Sequence, residues 1–123
     1  MKLNTMNDPF EGQTYSGDDG VEYGVGKLVS YAEDNMSPVR IPMSKLVHNI
    51  DPENGVSADE PIGSSAFHKR AMKASLKHPV LLFNDGKKLW VIDGTHRIFK
   101  ADKLGKTSLA AYVFYEFPLD ARV

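Results

Sequence analysis

The chain has 123 residues, which is enough for one domain with a substantial hydrophobic core. Its composition, 41% hydrophobic and 25% charged, is typical of a globular protein, and no apolar run approaches the roughly 20 residues of a membrane-spanning helix. The first residues lack the apolar stretch of a secretory signal, and the absence of cysteine excludes disulfide bonds, thiol nucleophiles and thiolate zinc sites. These features predict a cytoplasmic protein without a membrane partner.

The net charge is −1, but acidic and basic residues are unevenly distributed along the chain. Residues 1–66 contain four basic and eleven acidic residues, whereas residues 67–106 contain ten basic and three acidic ones. The basic block can form a positive surface for phosphate or nucleic acid. It can equally form solvated helix faces that the acidic half neutralises, and both interpretations remain open.

The N-terminal region differs in composition from the rest of the chain. Residues 1–26 contain five glycines together with many Asp and Asn residues, a composition typical of loosely ordered segments. Residues 27–36 are compatible with a short helix or a short strand. We therefore predict a flexible, acidic and Gly-rich arm over residues 1–36, followed by a domain over residues 37–123.

The first elements of the predicted domain are short. Residues 39–41 alternate like a strand, and residues 42–47 are typical of one or two helical turns. A long polar loop over residues 49–65 follows, and a loop of this length in a compact domain is often functional. Its acidic residues are Asp51, Glu53, Asp59 and Glu60.

An amphipathic helix is predicted next. Ser64 or Ser65 can cap its start, and its apolar stripe continues to about residue 77. The opposite side of the helix is basic, and we consider its side chains as candidate contacts for a nucleic-acid backbone, although a solvated face is the default interpretation. These residues are Lys69, Arg70, Lys73 and Lys77.

A β-hairpin is predicted after this helix. Residues 79–83 and 88–92 have the composition of strands, and the sequence Asn84-Asp85-Gly86-Lys87 between them is a turn signal. The second strand is apolar over four successive residues, which favours a strand that is covered on both faces.

A second helix is predicted over residues 95–104, with Gly105 as its C-terminal cap. An apolar strand over residues 109–114 follows, and residues 115–123 are typical of a tail or an edge strand. The mixture of short strands and helices predicts an α+β fold.

The sequence Asp93-Gly94-Thr95-His96-Arg97 joins the hairpin to the second helix. Gly94 can adopt backbone angles closed to other residues, and Thr95 is a good N-cap. His96 and Arg97 then fall in the first helical turn, where the free N–H groups and the helix dipole favour an anion. Cationic side chains oppose this dipole unless an anion binds there, and such conflicts tend to mark functional sites.

Each residue of this sequence has a candidate role at a phosphate. Arg97 can donate to phosphate oxygens, and Gly94 and Thr95 can complete the cradle with main-chain and hydroxyl groups. His96 can donate to a phosphoryl oxygen or move a proton, and Asp93 can hold Mg²⁺ or accept a hydroxyl proton. The structural alternatives are that Asp93 only caps the turn or pairs with Arg97, and that His96 only packs beside the helix.

The motif and the order of elements resemble the ParB/sulfiredoxin-like superfamily over residues 39–114. The resemblance implies a small mixed sheet with packed helices and a nucleotide phosphate at the helix that follows Gly94. Sulfiredoxins carry Gly-Cys-His-Arg at this place, and since Thr95 replaces the cysteine, sulfinic-acid reduction in its known form is excluded. Partition ParB proteins carry Gly-Glu-Arg-Arg-x-Arg, from which this chain departs at His96 and Phe99.

Two branches of the superfamily match the motif at Asp93, Gly94, His96 and Arg97. They are the free-serine kinases, with Asp-Gly-His-His-Arg, and regulators of DNA phosphorothioation, with Asp-Gly-Gln-His-Arg. The kinases also use a glutamate from the loop near the first helix. The resemblance implies that Glu53 or Glu60 fills this role here.

The first functional hypothesis is therefore phosphoryl transfer or hydrolysis that depends on ATP, ADP or CTP and on Mg²⁺. Its catalytic residues are Asp93, His96 and Glu53 or Glu60, with Asp93 as the metal ligand; the nucleotide binds at residues 94–97. The second hypothesis is a small DNA-associated regulator or ParB-like nuclease that uses the basic face. The third is a phage-type interaction or inhibitor protein.

Overall fold

A computed structural model describes residues 13–17, 20–47 and 64–123. It has an α+β fold, as the sequence predicts. The described residues belong to two compact units, of which one combines the residues up to Ser37 with residues 116–123 and the other comprises Pro38–Tyr115. The predicted division into an arm over residues 1–36 and a domain over residues 37–123 stays a prediction.

The first unit contains a small hairpin and a helix. Strands β1 (Thr14–Ser16) and β2 (Glu22–Gly24) pair antiparallel, and helix α1 (Val25–Asn35) follows at once. Leu28 and Ala32 are fully buried on one side of α1, which is the spacing of a helical face. The ambiguous stretch over residues 27–36 is therefore helical up to Asn35, and Met36 is its C-cap.

The last residues of the chain belong to this same unit. A 3₁₀ helix over Leu119–Ala121 lies against α1, and Phe117 stacks on Tyr23 with 4.4 Å between the ring centroids. The N–H of Val123 donates to the carbonyl of Glu22 at 3.0 Å. The predicted tail or edge strand is thus a 3₁₀ helix whose end pairs with β2.

The second unit is built on a four-stranded sheet. Its strands are β3 (Val39–Pro42), β4 (Val80–Asn84), β5 (Leu89–Asp93) and β6 (Ser108–Phe114), in the order β3-β6-β4-β5. The central pair β4 and β6 is parallel, and the outer pairs β3–β6 and β4–β5 are antiparallel. The strand pattern thus predicts the hairpin and the last strand correctly.

Three helices accompany this sheet, namely α2 (Met43–Val47), α3 (Ser65–Lys73) and α4 (Thr95–Lys103). Helix α4 contacts both α2 and α3, and its Ile98 and Ala101 are fully buried in the core cluster. The strands contribute Val80, Leu82 and Ala111 to this cluster, each of them fully buried. Helix α4 is thereby fixed on the sheet, and its N-terminus is placed at the end of β5.

Helix α3 is shorter than the sequence predicts. Ser64 caps its start, because its Oγ accepts the N–H of Phe67 at 3.1 Å. The predicted continuation to residue 77 is wrong, since the helix ends at Lys73. The hydroxyl of Ser75 accepts the N–H of Lys77 at 3.2 Å, and such local bonds compete with helical ones. None of the helices in the described ranges is long and apolar enough to cross a membrane.

The turn between β4 and β5 is held by Asp85. Its Oδ1 accepts the N–H groups of Lys87 and Lys88 at 2.8 and 2.9 Å, and its Oδ2 accepts the indole N–H of Trp90 at 2.8 Å. Gly86 has a φ of +94° at the centre of this turn. The hydrogen bonds from Trp90, Lys88 and Lys87 lower the pKa of Asp85 from its ordinary value of 3.8 to about 2.

The lowered pKa of Asp85 predicts a pH-dependent contribution to stability. A group whose pKa is lower in the folded state stabilises the fold above its unfolded pKa and loses this contribution as the pH falls towards about 2. Asp85→Asn should therefore have a lower urea midpoint than the parent protein near neutral pH. This difference should shrink between about pH 4 and pH 2, as measured by urea unfolding across that range.

A matched control is Asp102→Asn, which changes an exposed carboxylate on α4. A difference between Asp85→Asn and the parent protein that persists unchanged at the lowest pH would contradict the role of the ionised carboxylate.

Candidate functional site

The predicted site lies where β5 ends and α4 begins. Gly94 is the N-cap of α4, with a φ of +122°, and its carbonyl accepts the N–H of Ile98 at 2.9 Å. The prediction of Thr95 as N-cap is therefore wrong. Thr95 is the first helical residue, and it is only 5% exposed.

Gly94 is required for two separate reasons. Its positive φ is rarely adopted by residues with a side chain. In addition, a Cβ atom at this position would lie 2.4 Å from Cγ1 and 2.7 Å from Cβ of Val80. Val80 is fully buried in β4, so it cannot move aside without disturbing the core. The end of β5 can therefore approach β4 this closely only with glycine at position 94.

Arg97 is bound to protein groups on two sides. Its Nη1 donates to the carbonyls of His78 and Pro79 at 2.9 and 2.8 Å, and its Nη2 donates to Oδ2 of Asp93 at 2.5 Å. The Arg97 and Asp93 side chains are 15% and 21% exposed, so solvent screens this ion pair only in part. One side chain thus connects the first turn of α4, the end of β5 and the segment before β4.

His96 is packed against aromatic rings. Its imidazole stacks on Phe67 of α3, with 4.6 Å between centroids and 26° between planes, and Phe67 meets the edge of Phe99 at 5.1 Å. The imidazole is half-buried, and its Nε2 atom is shielded from solvent. The stacking fixes the orientation of the ring next to the start of α4.

An open depression of about 360 Å³ lies at this helix start. Two basic residues of α3, Arg70 and Lys73, line it from one side. His96 and Arg97 of α4 line it from the other, with Asp93 at the end of β5. Three cationic side chains, one imidazole and one carboxylate therefore surround a helix N-terminus, which is itself electropositive. This combination favours an anion.

The approach of α3 to α4 creates this arrangement. Phe67 is fully buried between the helices, and the ammonium group of Lys100 donates to the carbonyl of Ala74 at 2.7 Å. The spacing of Arg70 and Lys73 places both on one side of α3. The sequence predicts these two residues only as part of a general basic face, because it does not show which side of α3 faces α4.

The predicted site residues are brought together only in part. Asp93, Gly94, His96 and Arg97 all line the depression, whereas the Thr95 side chain is buried. The predicted catalytic residues Glu53 and Glu60 lie outside the described residues. Within the described part of the chain, no three His, Cys, Asp or Glu side chains are grouped as metal ligands.

No protein-family model matches the chain, and no curated protein is significantly similar to it. Membership of the ParB/sulfiredoxin-like superfamily accordingly stays a prediction from the motif and the order of elements.

The steric role of Gly94 gives a prediction. Gly94→Ala should lower the free energy of unfolding by about 2–5 kcal/mol, because backbone strain and overpacking against Val80 add together. Gly105→Ala is the control, since Gly105 also has a positive φ, of +73°, but no described atom lies within 4 Å of the place that a Cβ would take there. It should cost only about 1–2 kcal/mol. Equal losses in urea unfolding would contradict the contact with Val80.

The contacts of Arg97 give a second prediction. Arg97→Ala leaves two carbonyls and the Asp93 carboxylate without their donor, so it should cost about 2–4 kcal/mol of stability. Lys73→Ala, at an exposed position in the same depression, should change stability by less than about 0.5 kcal/mol. Chemical unfolding of both variants measures this difference. Similar stability of the two variants would show that the guanidinium contacts contribute little.

Proposed function

We propose that the chain is a cytoplasmic, ParB/sulfiredoxin-like protein that binds the phosphate groups of ATP, ADP or CTP in the depression at the start of α4. The observation that carries this proposal is the convergence of basic side chains from α3 and α4 around the N-cap Gly94. Main-chain N–H groups in the first turn of a helix and the positive end of its dipole add to the attraction for phosphate.

The basic side chains are proposed to have two roles. Both Nη atoms of Arg97 donate to protein acceptors, so Arg97 maintains the shape of the depression and contributes its charge. Arg70 and Lys73 have exposed side chains on α3, from which they can reach phosphate oxygens. Thr95 contributes through its main-chain N–H, since its side chain is buried.

Asp93 is the carboxylate suited to Mg²⁺. Mg²⁺ is usually bound through one or two carboxylates together with substrate phosphates, and Asp93 lines the depression. Oδ2 of Asp93 accepts from Nη2 of Arg97, so a Mg²⁺ ion here would share the Asp93 carboxylate with that guanidinium and take most of its ligands from the nucleotide phosphates and water. Such an ion would neutralise charge on the phosphates.

Phosphoryl transfer or hydrolysis is the reaction that we propose for this site. Its catalysis depends on positioning and on stabilising the charge of the phosphoryl oxygens, which Arg70 and Lys73 can supply. His96 is oriented by its stacking on Phe67, and it can donate to a phosphoryl oxygen or transfer a proton. Asp93 can accept a hydroxyl proton if it does not hold Mg²⁺, and Glu53 or Glu60 is proposed as the catalytic loop glutamate that the resemblance to the free-serine kinases implies.

The first test is thermal unfolding with ATP, ADP, CTP and GTP, each with and without Mg²⁺. A nucleotide at about 100 times its Kd adds about 2.7 kcal/mol to stability, which corresponds to roughly 8–15 °C in Tm for a domain of this size. Lys73→Ala should reduce the shift at equal nucleotide concentration, because it removes a phosphate contact.

The matched control for this test is Lys77→Ala, which removes an exposed lysine from the segment after α3. It should retain the full shift. If no nucleotide shifts the parent protein, nucleotide binding is wrong. If a nucleotide binds and no phosphate is released or transferred in the presence of Mg²⁺, the site binds nucleotide without catalysis.

A further inference from the structure

A second open site lies at the other end of β5. It is a groove of about 570 Å³ that runs from β3 and α2 to the turn between β4 and β5. The groove begins at Leu89, where β5 begins, whereas the depression lies at Asp93, where β5 ends. The two sites are thus separated by the length of the strand, about 13 Å.

The groove is strongly basic. Its charged lining residues are Arg40, Lys45, Lys87 and Lys88, and none of the described residues that line it is acidic. The nearby carboxylate of Asp85 faces the indole N–H of Trp90 and the main chain of the turn. It remains ionised, but it does not line the groove.

Two of these cations are held in defined orientations. The guanidinium of Arg40 donates from Nε and Nη2 to Oγ of Ser108 at 3.1 and 3.0 Å. The ammonium group of Lys88 lies 3.9 Å from the centroid of the Trp90 ring. Because these side chains are already ordered, an anionic ligand loses less conformational entropy when it binds them.

The groove also offers surface for flat, apolar groups. Tyr115 is 72% exposed at its edge, and Val39 is 48% exposed. Asn84 contributes an amide that can form hydrogen bonds. An exposed aromatic ring next to several cations is the combination with which proteins bind single-stranded nucleic acids, since bases stack on the ring while cations neutralise the phosphates.

We propose that this groove binds single-stranded nucleic acid with little sequence preference. An acidic peptide would satisfy the four cations, but it would make no use of the exposed ring. A rigid duplex would present its phosphates and leave its bases inaccessible to Tyr115. A single strand uses the charges and the ring together.

The test is the binding of a fluorescently labelled, single-stranded oligothymidylate to the full chain, measured by anisotropy between about 50 and 200 mM salt. Neutralisation of four phosphates predicts a slope of about −2.8 in a plot of log affinity against log salt, or about 50-fold weaker binding over this range. In the double variant Lys87→Ala/Lys88→Ala the slope should be about −1.4, so that the affinity falls only about 7-fold between the same two salt concentrations. Tyr115→Ala should weaken binding about 5-fold or more at an unchanged slope.

The matched control is Lys103→Ala/Lys106→Ala, which removes the same charge from exposed positions outside the groove. It should leave both affinity and slope nearly unchanged. The proposal is wrong if the control variant loses as much affinity as the double lysine variant of the groove. It is also wrong if Lys73→Ala, in the depression, abolishes binding while the groove variants do not. Tighter binding of polyglutamate or of duplex DNA than of the single strand would likewise contradict it. Absence of binding to the parent protein would overturn it directly. Tyr115→Ala provides the decisive comparison if the double lysine variant does not fold.

Discussion

The fork of hydrogen bonds from Arg97 is the interaction on which the candidate site depends. Guanidinium is planar and always charged, so it can hold several acceptors in fixed directions at once. Here the acceptors are the carbonyls of His78 and Pro79 and the carboxylate of Asp93. His78 and Pro79 lie just before β4, and Asp93 pairs with Leu81 at the end of the ladder between β4 and β5. Because the fork joins them, the start of α4 and its surrounding side chains have one defined geometry.

The fork also changes how the motif is interpreted. A basic residue in the first turn of a helix suggests an anion, because it opposes the helix dipole. Arg97 has an anion within the protein, namely Asp93, so its presence is explained without a ligand. Arg70 and Lys73 belong to α3 and add their charge to the depression from outside the motif. The basic side chains of α3 therefore support the proposal of phosphate binding more strongly than the residues of the motif do.

Much of the fold follows from local sequence, and the exceptions have physical reasons. The turn signal around Gly86 and the apolar runs beside it specify the hairpin. Gly105 marks the end of α4 to within one residue, because the C-cap is Leu104 and Gly105 follows it with a positive φ. The stretch that contains Leu28 is compatible with helix and strand, and tertiary packing decides between them. The end of α3 depends on a competing hydroxyl at Ser75. The candidate site could be predicted only in part for the same reason. The sequence shows that Arg70 is basic, but it does not show that this side of α3 faces the start of α4.

The pairing of β2 with the last residues has a consequence for the order in which the protein can form. The carbonyl of Glu22 accepts the N–H of Val123, and Lys27 donates to the carbonyl of Arg122. On the ribosome, the hairpin and α1 emerge well before these partners are translated. The unit that comprises Pro38–Tyr115 draws all its strands from one continuous stretch, whereas the first unit joins residues from both ends of the described chain. Closing so long a loop costs entropy before the contact is made, so we expect the pairing of β2 with the last residues to form more slowly than the local hairpin of β1 and β2.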